Sequence, residues 1–222
     1  MDWTKAIDIY CERLDPSFWS EPINAISNAG FVLAGLWTFS KARQSGADLW
    51  VQGLCLWVAV IGIGSFLFHT FANAWSQQAD VIPIQLFIVV FTLFSFRRFA
   101  GTNWIVAVVG TVALVVGLGW LVGEIPSSIH TAVNGSLFYA PAFIILFGFA
   151  AYLTMRGHGA ARFLLIGGVV FCVSLFFRSI DMTVCGSLPI GTHFLWHLFN
   201  AVLLGTLCLG AVRHGQSKGA AA

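Results

Sequence analysis

Charge is what this 222-residue chain has least of. Eleven Lys and Arg and nine Asp and Glu make up only 9% of it, against roughly 25% in an average soluble domain. So few charges cannot cover a core of this size in water, which excludes an ordinary soluble enzyme. The basic residues are scattered, not massed on one face, and the net charge is +2, which argues against a nucleic-acid partner. Alternation of apolar and polar residues over the ~10 positions of a barrel strand is missing too; the run 106–116 is almost wholly apolar. Residues 1–21 have neither the basic start nor the long apolar run of a cleaved leader. They are too polar to span a bilayer and read as an ordered or interfacial arm.

What fills the space is apolar bulk: 58% hydrophobic residues with 21 Phe and 9 Trp and a mean hydropathy of +0.86. Lipid is the solvent such a surface implies. A spanning helix takes about 20 predominantly apolar residues, and stretches of that kind run roughly over 22–40, 50–69, 80–97, 103–123, 135–154, 162–180 and 191–211. The expected fold is therefore an all-α integral membrane protein, a seven-transmembrane helix bundle forming a single domain over 1–222. Cytoplasmic loops carry the excess of Lys and Arg. Lys41, Arg43, Arg97, Arg98, Arg156, Arg162, Arg213 and Lys218 fall on one side, and Lys5, Arg13 and Arg178 on the other. This predicts an extracytoplasmic amino-terminal arm (1–21) and a short cytoplasmic tail (212–222).

Ionisable residues inside spans are costly and mark function, and in this chain they are few. His69 lies at the outer end of span two, with Ser65 four residues earlier on the same face. Asp80 follows at the outer start of span three, and His193 and His197, also four apart, at the outer start of span seven. All five share one depth on one side. A lone intramembrane histidine more often bonds between helices than to a metal, but an i, i+4 pair with a third imidazole makes a set that catalytic zinc uses, leaving a position open for water. Cu(II) and Fe also accept imidazole; a carboxylate and a hydroxyl nearby, without cysteine ligands, favour zinc and hydrolysis. Asp80 is then expected to orient or deprotonate the water, and Ser65 to donate to the developing oxyanion. Bis-histidine haem ligation has no use for Asp80. A Ser65–His69 dyad has poor attack geometry and no nucleophile elbow around it.

The ordered elements are Tyr10-Cys-Glu12, Glu21-Pro-Ile-Asn24-Ala-Ile-Ser27-Asn28, Gly64-Ser65-x3-His69-x10-Asp80, Arg178-x2-Asp181-x3-Cys185 and His193-x2-Trp196-His197. Along its whole length this pattern resembles the alkaline ceramidase family, within the wider group of seven-helix membrane hydrolases and receptors that includes the adiponectin receptors. The resemblance implies a zinc-dependent intramembrane hydrolase that cleaves the ceramide amide into a sphingoid base and a fatty acid, with Ser65, His69, Asp80, His193 and His197 at the site. It also implies a calcium site in the arm, for which Asp8, Tyr10 (through its backbone carbonyl), Glu12 and Glu21 are the candidates. Ile9 stands where the family has Asp, with Asp8 one residue early; Leu14 stands where it has Asn, with Asp15 one residue late.

Cys11 and Cys185 fall on the outer side by the charge count and form a candidate disulfide in an oxidising compartment, whereas Cys55, Cys172 and Cys208 fall within spans as small hydrophobes. Arg178 and Asp181, three apart on a helix, are expected to pair with each other. Asn24, Ser27 and Asn28 share a face and are expected to bond within the bundle or behind the metal ligands. The expected partners are a ceramide-like lipid and the membrane, with no obligate protein partner. Other readings are a receptor or signalling protein with structural zinc, a transporter or electron carrier, and a hydrolase of another N-acyl lipid.

Overall fold

The computed structural model describes residues 2–216, so Lys218 and the end of the expected tail lie outside the described residues. Among these residues the chain is helical, with no strand and one isolated bridge between Ala6 and Asn73. The helices are α1 (Pro22–Ser27), α2 (Ala29–Gln44), α3 (Leu49–Phe71), α4 (Ala74–Phe94, extended by a π-helical turn over Ser95–Phe99), α5 (Trp104–Gly123), α6 (Ser127–Ala132), α7 (Ala140–Met155, entered through a 3-10 turn at Ser136–Tyr139), α8 (Ala161–Val184) and α9 (His193–His214). Six of them, counting the turns joined to α4 and α7, are long and apolar enough to cross a membrane.

The expected first span is not one helix. At Asn28, ψ is −18°, and the bonds Asn28 N–Ala25 O and Phe31 N–Asn28 O reach only three residues, the tightened geometry of a 3-10 turn. Residue α3 Gly62 presses against that point: a Cβ there would lie 2.7 Å from Phe31 Cβ and 2.9 Å from the Asn28 carbonyl. Beyond it α2 has 16 residues, about 24 Å of helix against a hydrocarbon core of about 30 Å. The expected count of seven spans thus becomes six helices of spanning length plus a divided segment.

Helix boundaries follow local chemistry. Asp48 caps α3 by accepting from Trp50 N and Val51 N. Ala72, in the left-handed region at φ 43°, ends α3, and Asn73 with Ser76 forms a capping box that starts α4 at once. The arm is pinned across this reversal by Ile7 N–Ala72 O at 2.8 Å and Ala74 N–Lys5 O at 3.0 Å. Pro83 has no N–H, so it leaves the Ala79 carbonyl without its in-helix donor. That carbonyl faces Gly64, where an added Cβ would come within 2.0 Å of it; the two backbones touch because residue 64 has no side chain. Enclosure is uneven: 61% of the apolar window of α9 and 50% of that of α3 are buried, but only 17% of that of α5. The two central helices carry all three expected metal ligands.

Candidate metal centre and active site

His69 lies in the last turns of α3, and His193 and His197 lie one turn apart at the start of α9. All three are at most 1% exposed. One ring nitrogen from each comes within 4.8 Å of the others, with ring centroids 4.6–5.1 Å apart. Their spacing along the chain brought two of them to one face; the packing of α3 on α9 supplies the third.

The start of α9 is held by Asp181, which is fully buried. Its Oδ1 accepts from Thr192 N at 2.7 Å and His193 N at 2.9 Å, and its Oδ2 from Cys11 N at 3.1 Å. An anion among the free N–H groups of a helix start is favourable. The close approach needs Gly191, at φ +62°, where a Cβ would sit 2.2 Å from Asp181 Oδ1. Among the described residues Arg178 and Asp181 form no ion pair, contrary to expectation. Asp181 turns instead to backbone donors, and Arg178 Nη1 donates to the Tyr10 hydroxyl at 3.1 Å, with its guanidinium over the rings of Tyr10, Tyr139 and Trp196.

Each of two histidines has its far nitrogen tied down. Ser27 Oγ donates to Asn24 O at 2.8 Å, so its contact with His197 Nδ1 at 2.7 Å is one in which the imidazole donates. His69 Nδ1 donates to Glu21 Oε2 at 2.6 Å. Burial alone would raise the Glu21 pKa, but the hydrogen bond from His69 and then the bond and charge of Arg13 outweigh it and hold the carboxyl below its ordinary range. Protonation at Nδ1 leaves Nε2 as a lone pair. His69 Nε2 and His193 Nδ1 are buried with no hydrogen-bond partner among the described residues, although an orphaned buried nitrogen is costly. Nitrogens gathered in this way, without a thiolate, fit a divalent metal such as zinc.

Asp80 stands beside the Ser65 hydroxyl, with His69 and Arg178 near it, and its Oδ1 is buried without a hydrogen-bond partner. It is not among the groups within 4.8 Å of one another. Tyr10, 5% exposed, is stacked on His193 with centroids 3.7 Å apart and tilted against His69 at 5.1 Å. Burial pushes its hydroxyl well above the ordinary phenol pKa, against the pull of Arg178. A side chain there was not legible in the sequence; the family resemblance implied a role for the Tyr10 backbone alone.

Between Phe31, whose ring centroid lies 6.3 Å from that of His197, Tyr139 and Trp196, a cavity opens and runs to Thr92, Ser95 and Leu207. The eleven steps from Trp196 to Leu207 correspond to about 16 Å along α9. Apart from Asn200, Tyr139, Trp196 and the hydroxyls of Thr92 and Ser95, its walls are aliphatic and Phe side chains.

The calcium candidates are exposed or already engaged by donors. Asp8 is exposed. Both oxygens of Glu12 accept backbone N–H groups, from Ile23 and Asn24, at 2.8 Å each, capping α1 from outside the helix; burial keeps the Glu12 pKa raised even so. The Tyr10 carbonyl accepts from Arg13 N, and Glu21 is engaged by Arg13, His69 and Asn24. Cys11 and Cys185 are joined by a disulfide, with Cα atoms 5.4 Å apart.

Fold and site define a class: a multi-pass membrane protein with a buried three-histidine group at one end of its helices. The chain matches the Ceramidase family over residues 10–218 and belongs to it. Membership makes it a hydrolase of amide bonds, in a metal-dependent family whose substrate is a ceramide lipid. No curated protein matches the chain.

Proposed function

We propose that the chain is a zinc-dependent intramembrane ceramidase, a single domain in which α1 and α2 together make a seventh crossing. In this reading the arm and the site face the extracytoplasmic side and the carboxyl terminus is cytoplasmic. The observation that carries it is the trio of buried imidazoles, with His69 and His197 fixed from behind by Glu21 and Ser27. His69, His193 and His197 would hold the metal, which when bound supplies an acidified water and polarises a carbonyl. The orientation is supported by Lys41, Arg43, Arg97, Arg98, Arg156, Arg162 and Arg213 gathering at the helix ends away from the histidines.

The lipid's acyl chain lies in the apolar cavity, whose wall includes Trp196 and Phe31, the neighbours of His197 in sequence and in space, and its amide meets the imidazoles there. Asp80 Oδ1, buried and unpartnered, takes a proton from the attacking water and returns it to the amide nitrogen as the C–N bond breaks. The products are a fatty acid and a sphingoid amine. Ser65 donates to the oxygen that becomes negative.

The test is elemental analysis and hydrolysis of a panel of ceramides, N-acyl amino acids and N-acylethanolamines, with and without chelator. Ceramide cleavage that disappears on chelation and in His197→Ala is expected. Full activity of zinc-free His197→Ala would overturn the mechanism, and cleavage of no lipid by metal-replete protein would favour a receptor.

A further inference from the structure

Arg13 is a buried cation, 6% exposed, and every part of its guanidinium is engaged. Nε donates to Glu21 Oε1 at 2.5 Å, Nη1 to the carbonyls of Asp15 at 3.1 Å and Ser17 at 3.4 Å, and Nη2 to the His69 carbonyl at 3.1 Å. A carboxylate oxygen and three carbonyl oxygens are the ligand types that calcium selects. Here they surround a side chain of the protein itself. Calcium needs six to eight oxygens, and the carboxylates of Glu12 and Glu21 are already taken by donors.

We infer that the Arg13 guanidinium is the resident cation of the arm, that this chain binds no calcium there, and that Arg13 is a positioning residue for His69. Its charge fixes Glu21 Oε1, which leaves Oε2 directed at His69 Nδ1, and its Nη2 holds the backbone of the same histidine. The planar fork reaches acceptors in three directions, which the single ammonium of lysine does not reproduce. The positioning part rests on the reading of His69 as a zinc ligand; the calcium part does not.

The experiment uses purified full-length protein with zinc loaded and calcium stripped by ion exchange. Direct calcium binding and thermal unfolding are followed as calcium is added to about 1 mM, the range of weak extracellular sites. No stoichiometric binding and no change in unfolding temperature are expected; one bound calcium per chain, or a calcium-dependent rise in unfolding temperature, overturns the inference. Zinc affinity of Arg13→Gln is expected to fall about 10–100-fold, as for lost partners behind a ligand, with Arg13→Lys in between. Wild-type zinc affinity in Arg13→Gln overturns the positioning role. If Arg13→Gln does not fold, the calcium measurements on wild type and the zinc affinity of Arg13→Lys decide. A wild-type chain that holds no zinc would sink the proposed function and leave the calcium measurements intact.

Discussion

Replacing Asp181 by Ala removes the acceptor of three backbone N–H groups, those of Thr192, His193 and Cys11, in a place with no exposure to water. Each stranded donor costs about 1–3 kcal/mol, so the variant is expected to lose at least about 3 kcal/mol, or roughly 6–12 °C in unfolding temperature for a chain of this length. Asp181→Asn keeps one carbonyl oxygen for the start of α9 but sets an amide NH2 against Cys11 N, and should lose about 1.5–3 kcal/mol. Because His193 is the first residue of α9, zinc affinity should fall with stability, by about 10–100-fold in the Ala variant. Tryptophan fluorescence on heating in detergent and competition with a chromophoric chelator read the two effects. An Ala variant with wild-type unfolding temperature and zinc affinity would refute the claim that Asp181 positions the histidine.

Three further outcomes are expected. Asp80→Asn should retain zinc by elemental analysis while kcat falls about 100- to 10,000-fold; normal turnover would remove Asp80 from the chemistry. Gly64→Ala drives a Cβ against the Ala79 carbonyl and should cost about 3 kcal/mol or more, whereas Gly53→Ala, with open space around its Cβ, should be neutral or slightly stabilising by unfolding temperature. Ala142→Phe narrows the cavity wall and should reduce hydrolysis of long-chain ceramides more than of short-chain ones; equal losses would show that the chain does not lie there.

The residues that gather at the site were largely legible because so few polar groups occur in the spans. His69, His193 and His197 declared a shared depth by position and a shared face by spacing. Partners were harder to read, since they depend on what each polar atom finds after burial. Arg178 and Asp181 satisfy the three-residue rule of a solvated helix surface, but inside the bundle Asp181 meets the bare N–H groups of α9 and Arg178 meets aromatic rings. Span one is divided for a local reason: hydropathy registers apolar length and not the tightened turn at Asn28 that Gly62 accommodates. The family resemblance implied a cation in the arm, but Arg13 as that cation is visible only once residues 13, 21 and 69 are brought together.

Helices in a bilayer gain nothing from the hydrophobic effect by touching one another, since lipid tails are as apolar as leucine. The amino-terminal arm meets that difficulty from outside the hydrocarbon. It is paired at Ala6 to the α3–α4 turn, tied through Cys11 to the end of α8, and fastened by Arg13 to the carbonyl of His69. It works as a tether across the helix ends that carry the histidines, limiting how far α3 and α9 can drift apart in the plane of the membrane. The geometry of the centre then depends on a polar strap as much as on helix packing, and a cut in the arm should loosen the site without touching any of its ligands.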